Sequence, residues 1–382
     1  MRATAYGLFS VSFALFLSAR NLSALMIGVV LTVALLAGAA FSFATGYLVR
    51  RFGRRATLTG AAALMAIAAA ILAAGHGLAL IIFASLLGTL SAGGQEVGPF
   101  APIEQHMVAD TTERRNVARY FAWYNFAGSL AAAGGALLAG FVALTVAPWL
   151  YAACGVMLLL IYVALPAEVA AKTSAEQTLD STIAPAQQSS GVAEKLTVLF
   201  GVDALAGGFV VQSFLAYWLH VRFGVAQNVL GPLFFATNIL SGLSFLVAAQ
   251  VAKRIGLLRT MVFSHLPSNV LLCLVPVMPT FWWAAVLLLA RFALSQMDVP
   301  TRQAFTMYAV RPDERARAAG MTNAVRPAAA AIAPVFSGLA LQTAAIGLPF
   351  FLAGGLKIAY DLAMLALFSR TPLRSDEVEG RK

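Results

Sequence analysis

The chain has 382 residues, 60% of them hydrophobic and only 11% charged, with a formal net charge of +10. A soluble domain carries about 25% charged residues to cover its surface, so this composition excludes a water-soluble globular protein. It excludes a nucleic-acid-binding module as well, because Lys and Arg fall in short clusters between long apolar runs rather than in a basic domain interleaved with aromatics.

Each apolar run is near the ~20 residues that a helix needs to cross ~30 Å of hydrocarbon. Twelve such segments are predicted, at 3–19, 24–49, 56–75, 78–107, 116–144, 148–165, 194–219, 227–252, 260–278, 281–310, 317–344 and 347–369. The first is read as a spanning helix rather than a cleaved leader, because the internal repeat described below needs it. Cys154 and Cys273 both fall inside apolar spans and read as small packing residues, not as a disulfide or metal pair. Pro166 to Ala193 is the one long polar stretch, rich in Ala, Gln, Ser and Thr, and reads as a flexible linker. The expected organisation is a six-helix bundle over 1–165, a linker over 166–193, a second six-helix bundle over 194–370 and a polar tail over 371–382.

Charge sets the expected orientation. Thirteen Lys and Arg residues follow the even-numbered segments two, four, eight and ten, among them Arg50, Arg51, Arg54, Arg55, Lys253, Arg254 and Arg259. The loops on the other side carry only Arg20 and Arg222. By the positive-inside rule both termini and the linker belong in the cytoplasm, and the chain in the cytoplasmic (inner) membrane.

The halves repeat. GYLVRRFGRR at Gly46–Arg55 answers to AQVAKRIGLLR at Ala249–Arg259, ERR at Glu113–Arg115 to ERAR at Glu314–Arg317, and Glu96-Val97 to Asp298-Val299, all at an offset near 202 residues. Parallel six-helix repeats imply a site between the halves near mid-membrane.

GYLVRRFGRR resembles the major facilitator signature G-x-x-x-D-R-x-G-R-R. Gly46, Arg51, Gly53, Arg54 and Arg55 match, while Arg50 stands where the family has Asp. The stretches GGQEVGPFAPIEQ, SFLAYWLHVRFG, HLPSN and SQMDVPTRQAF are similar to a bacterial subgroup of these proteins with no settled substrate. The resemblance implies an all-α membrane protein of twelve transmembrane helices in two pseudo-symmetric six-helix bundles. It also implies secondary transport, with helices one, four, seven and ten lining a central cavity and residues 46–55 gating the cytoplasmic face. An Arg at position 50 departs from the acidic latch of the family.

An ionised group at mid-membrane costs at least ~2.5–3.5 kcal/mol. Nine intramembrane candidates remain once loop and tail charges are set aside: Glu96, Glu104, Asp203, Arg291, Asp298, Arg302, Arg326, Lys357 and Asp361. Lys357 and Asp361, four apart on one helix, are expected to pair locally. Arg291, Ser295, Asp298 and Arg302 fall within a sector of about 60° on a continuous helix ten, a single polar stripe that Pro300 would kink. Arg302 neutralising Asp298 is the bland reading of its lower part, and Arg291 is the member expected to touch a solute. Glu96, among Gly93, Gly94, Gly98 and Pro99, is either a proton or cation site or the partner of a helix-ten Arg. Glu104 reads as a gate or ion-pair residue and Asp203 as a second proton site. Arg326, at the repeat position of Asn125, is either an anion-binding fork or a structural partner, and Asn125 itself is a cavity candidate. His265 and Asn269 read as packing or local backbone partners. Trp123, Tyr124, Tyr217 and Trp218 read either as cavity lining or as packing or interface anchors.

No G-x-x-x-x-G-K-[ST] loop is present, so ATP is not bound in that manner. The four scattered His and two distant Cys form no catalytic or metal set, so neither an enzyme nor a cofactor is expected. The expected function is secondary, proton-coupled export of a small, anionic solute by a monomer in the lipid bilayer. Export of cationic drugs, using Glu96 and Asp203, and a non-transporting receptor of the same fold are the alternatives.

Overall fold

The computed structural model describes residues 1–94, 96, 98–111, 117–166, 191–311 and 314–369, and every regular element among them is helical. The first half comprises α1 (Arg2–Ala19), α2 (Ala24–Phe52), α3 (Arg54–Ala74), α4 (Leu78–Leu86), α5 (Phe100–Thr111), α6 (Val117–Ala139) and α7 (Ala147–Val163). The second comprises α8 (Val192–Gly208), α9 (Gln212–Phe223), α10 (Gln227–Ile255), α11 (Leu257–Leu274), α12 (Phe281–Ser295), α13 (Asp298–Ala309), α14 (Arg315–Gln342) and α15 (Leu348–Phe368). Most of the expected linker, the tail beyond Ser369, and the charges at Arg114 and Arg115 lie outside the described residues. With α4–α5, α8–α9 and α12–α13 each counted as one span, the fold is twelve spans in two six-span bundles.

Three segments expected as single helices are therefore broken, and each break has a physical cause. In span four, Gly88, Gly94 and Gly98 take φ of +70°, +71° and +74°, a left-handed conformation that interrupts the helix and suits glycine. Freed backbone groups there find side chains. The Tyr151 hydroxyl donates to the Thr89 carbonyl at 2.6 Å, and the Ser42 hydroxyl both donates to the Gly98 carbonyl and accepts from its N–H. Such satisfaction is what permits irregular backbone at membrane depth. In span seven, Ser337 donates to the Phe209 carbonyl at 2.8 Å where α8 ends. In span ten, Pro300 has no N–H for the Gln296 carbonyl four residues back, and α12 stops at Ser295.

The repeated Gly of the two halves is a helix-to-helix corner. Gly53 (φ +84°, ψ 163°) joins α2 to α3 and Gly256 (φ +87°, ψ 160°) joins α10 to α11. Near-identical dihedrals at equivalent positions explain why the two segments read alike.

Within the bundles α1 packs on α6, α3 on α7, α8 on α14 and α11 on α15. Across them α2 meets α14, α6 meets α10 and α1 meets α9. These crossings are close. A Cβ on Gly28 would lie 2.4 Å from the Pro334 carbonyl oxygen, and one on Gly231 would lie 2.6 Å from Gly140 Cα. Gln212 donates to Ser10 at 3.0 Å and Ser213 to the Ala92 carbonyl at 2.6 Å. Gly28 is near the start of α2 and Gly53 at its end, so the tightest crossings lie at the face opposite the Arg clusters. The bundles are sealed at that face. Toward the basic face, Phe43 and Tyr47 on α2 and Leu243 and Leu246 on α10 are exposed.

Candidate functional site

Two buried clusters of charge flank the junction, one in each bundle. In the first, the guanidinium of Arg2 at the start of α1 binds two carboxylates. Its Nε and Nη2 donate to Glu96 at 3.0 and 3.1 Å, and its Nη1 and Nη2 to Glu104 at 2.6 and 2.8 Å. Tyr124 and Tyr162 donate their hydroxyls to Glu104 as well, Tyr124 at 2.6 Å. The Arg2 guanidinium sits 4.7 Å from the Phe100 ring centre. Arg2 is 7% exposed, Glu104 23% and Glu96 41%. Glu104 is thus locked by four donors, whereas Glu96 is held by one side chain and reaches open space.

This corrects two expectations. Glu96 does not pair with an Arg of span ten; its partner is on span one. Tyr124 is a carboxylate ligand rather than packing. Arg2 escaped the sequence reading because a charge at a helix end passes for a tail charge. The signal was indirect: the first half holds two intramembrane carboxylates and no mid-span cation, so a partner had to come from a helix terminus.

The second cluster centres on Asp203 of α8, 3% exposed. Its Oδ1 accepts from Lys357 of α15, and its Oδ2 accepts from Arg302 of α13 at 3.2 Å and Arg326 of α14 at 3.1 Å. Arg302 also donates to Asp298 at 2.6 Å, one turn away on α13. His265 of α11 places Nε2 3.9 Å from Asp203 and Nδ1 2.9 Å from Asp361, which also accepts from the Asn269 amide at 2.9 Å. The expected Lys357–Asp361 pair does not form. Both side chains reach across to other helices, because a fully buried carboxylate or ammonium gains more from partners that fill its remaining hydrogen-bond sites than from one local contact. His265 and Asn269 are, for the same reason, partners of Asp361 rather than packing residues.

Arg291 of α12 is different. It is 9% exposed, has no ion-pair partner among the described residues, and leaves its Nε without a hydrogen bond. Its guanidinium carbon lies 4.9 Å from the Phe292 ring centre. Ser295, one turn on, is buried. The expected stripe is divided by the break, with Arg291 and Ser295 on α12 and Asp298 and Arg302 on α13. Asn125 on α6 is exposed. Thr89, at the repeat position of Arg291, has a buried hydroxyl with no partner. Counting fixed charges, the first cluster carries one anion in excess. The second, with Arg291 and without His265, carries one cation in excess.

At the basic corner Arg50 and Arg51 are exposed, Arg54 is buried, and Arg55 donates to the Val163 carbonyl. A Cβ on Gly46 would meet nothing within 4 Å. Among the described residues no three His, Cys, Asp or Glu side chains gather as a metal site.

The sequence pattern of the Major Facilitator Superfamily matches residues 1–334. The chain is 24% identical over 410 residues to the uncharacterized membrane protein YJR124C of Saccharomyces cerevisiae, covering 96% of this chain and 92% of that protein. That relative is from yeast and lends nothing to the expected bacterial subgroup. Among solved structures, the nucleoside transporter NupG superposes with a TM-score of 0.75 at 14% identity, over 96% of this chain and 96% of that one. The D-xylose-proton symporter does so with a TM-score of 0.69 at 14% identity, over 97% and 96%.

Proposed function

Because the chain belongs to the Major Facilitator Superfamily of membrane transporters, we propose that it exports a small anionic solute by proton-coupled alternating access. The observation that carries the anionic reading is Arg291, a buried guanidinium without a carboxylate partner among the described residues. A guanidinium stays charged in proteins and presents a planar fork to a carboxylate or phosphate. A solute anion would offset the desolvation that an unpaired buried charge otherwise suffers. Arg326, 28% exposed beside Asp203, adds a second positive side chain within reach of a solute. The fold itself does not choose the solute, since one neighbour of similar shape carries nucleosides and the other xylose.

Proton coupling rests in this reading on Glu96. It is the exposed member of a cluster with two carboxylates and one guanidinium, and a proton neutralises the surplus. The positive-inside bias puts the basic face, the 166–193 linker and both termini in the cytoplasm of the inner membrane. On that assignment the seal described above is the outer one, and the chain stands in the state in which an exporter loads. Bundle boundaries at 165 and 194 and a monomeric chain belong to the same proposal. The test is thermal stabilisation of the purified chain across a solute library, since a ligand of the folded state raises stability, followed by flux of the hits in proteoliposomes under a pH gradient. Stabilisation by anions and acid-driven flux support the reading. Stabilisation by organic cations alone overturns it in favour of drug export through the surplus anion near Glu96.

A further inference from the structure

Arg2 has no assigned role, yet it is a highly coordinated buried cation of the first bundle. It makes donor contacts to two carboxylates and two tyrosine hydroxyls while only 7% exposed. One positive charge facing two negative ones leaves this corner one proton short of neutrality. The two carboxylates are not held alike. Glu104 receives the shorter Arg2 contacts, at 2.6 and 2.8 Å, plus both hydroxyls. Glu96 receives only the longer ones, at 3.0 and 3.1 Å, and has open space beside it. An ionised carboxylate is an acceptor only, so four donors on Glu104 keep it ionised and leave Glu96 as the carboxylate that can accept a proton.

We propose that Arg2 is the positioning residue for proton exchange: the internal counter-charge that Glu96 trades for a proton, with Glu104 as its fixed anchor. The inference rests on the proton-coupled reading of Glu96 and goes further in naming what the proton displaces. When a proton adds to a Glu96 oxygen, the carboxyl loses its charge and its claim on Nε and Nη2, while Arg2 keeps Glu104. The irregular segment between α4 and α5 is then untied from α1. Two residues before Glu96 in that segment is Gly94, whose added Cβ would lie 3.1 Å from the Ser10 side chain and 3.5 Å from Gln212 Oε1. Ser10 and Gln212 form the hydrogen bond that joins α1 to α9 across the bundles. Arg2 and Ser10 share α1, about 12 Å apart at 1.5 Å per residue. Proton occupancy at Glu96 therefore acts on a segment that touches the seal.

The test needs no knowledge of the solute. Dicyclohexylcarbodiimide reacts with protonated carboxyl groups in apolar surroundings. The acid adds across a C=N bond, its proton going to nitrogen and its oxygen to the central carbon, and the adduct rearranges to an N-acylurea that retains every atom of the reagent. Full-length chain in detergent would be labelled between pH 5 and 9, and Glu96 and Glu104 peptides quantified by mass spectrometry. Wild type is expected to label at Glu96, less as pH rises, and not at Glu104. In Arg2→Gln, Glu96 labelling at pH 8 should rise about tenfold or more, since an opposite charge at this distance shifts a carboxyl's proton affinity by that factor. Glu104 should begin to label, and Arg2→Lys should fall between the two. An unchanged Glu96 profile in Arg2→Gln, with its thermal midpoint intact, overturns the role of Arg2 and leaves the proton reading standing. Should Arg2→Gln fail to fold, Glu104→Gln is the second test: with its anchor neutral, Arg2 serves Glu96 alone, so Glu96 labelling at pH 8 should fall, and an unchanged profile overturns the role of Arg2 equally. Absence of Glu96 labelling in every chain at every pH overturns both.

Discussion

Arg291 stands apart from the other intramembrane cations of the second bundle, because Arg302, Arg326 and Lys357 all close on Asp203 while Arg291 closes on no carboxylate among the described residues. A hydrogen bond to a charged group is worth about 1.5–3 kcal/mol. Arg291→Lys, which keeps the charge but loses the fork, should therefore weaken solute binding about tenfold or more while the thermal midpoint holds. Normal affinity in both Arg291→Lys and Arg291→Gln would make the residue structural. Glu96 gives the complementary case. Glu96→Gln should bind and exchange solute yet lose accumulation against a gradient, measured as counterflow against pH-driven uptake in the same vesicles. Uphill transport at wild-type rate would end the coupling role. Asp203 belongs to neither class. Its loss leaves two guanidiniums and an ammonium facing one another, and removing one partner of a buried pair costs about 3–5 kcal/mol. Asp203→Asn should unfold at markedly lower temperature, and Lys357→Met in the same chain should recover part of the loss.

At the scale of elements, the crossings of α2 on α14 and α6 on α10 are related by the internal repeat. Gly231 occupies the repeat position of Gly28, and Gly338 lies near that of Gly140. Each crossing brings backbone against backbone at a distance that admits no side chain. Overpacking such a contact costs about 1–3 kcal/mol, enough to shift a two-state equilibrium about tenfold. Gly28→Val should therefore disfavour the sealed state. A cysteine at Gln212, within the seal, should react about ten times faster with an impermeant maleimide added at the face opposite the Arg clusters. Equal rates with and without Gly28→Val would mean that this crossing does not govern the seal. The breaks in spans four, seven and ten are elements of another kind. The glycine-rich break near Glu96 and the break before Pro300 had local signals. The break after Gly208 is fixed by Ser337 from a helix about 130 residues away, which no local pattern could show.

For the whole molecule, the twelve spans, the doubled Gly53 and Gly256 corners and the mid-span charges were legible in the sequence, since each is local in chain or repeated. The pairing of those charges was not. Lys357 and Asp361 are four apart and looked like a couple, yet their partners lie on α8 and α11 and became visible only once helices were packed. Arg2 was hidden by its place at a helix end. Orientation is the remaining global property and rests on the Lys and Arg bias alone. Ser181→Cys in intact cells should stay unlabelled by an impermeant maleimide added outside, and rapid labelling would invert the topology.

Every ion pair named above joins side chains of the same bundle, whereas the contacts between bundles named above, all among the described residues, are neutral. They include glycine against backbone, Gln212 on Ser10, Ser213 on the Ala92 carbonyl and Gln227 on the Val142 carbonyl. Parting these contacts strips no charge of its partner. What is exchanged is van der Waals contact and hydrogen bonds worth about 1 kcal/mol each, which water can replace as the seam wets. Dissolved salt weakens contacts between charges and leaves neutral ones nearly untouched. The interconversion of the two end states should accordingly run at almost the same rate in dilute buffer and in concentrated potassium chloride, a behaviour that a seam latched by ion pairs could not show.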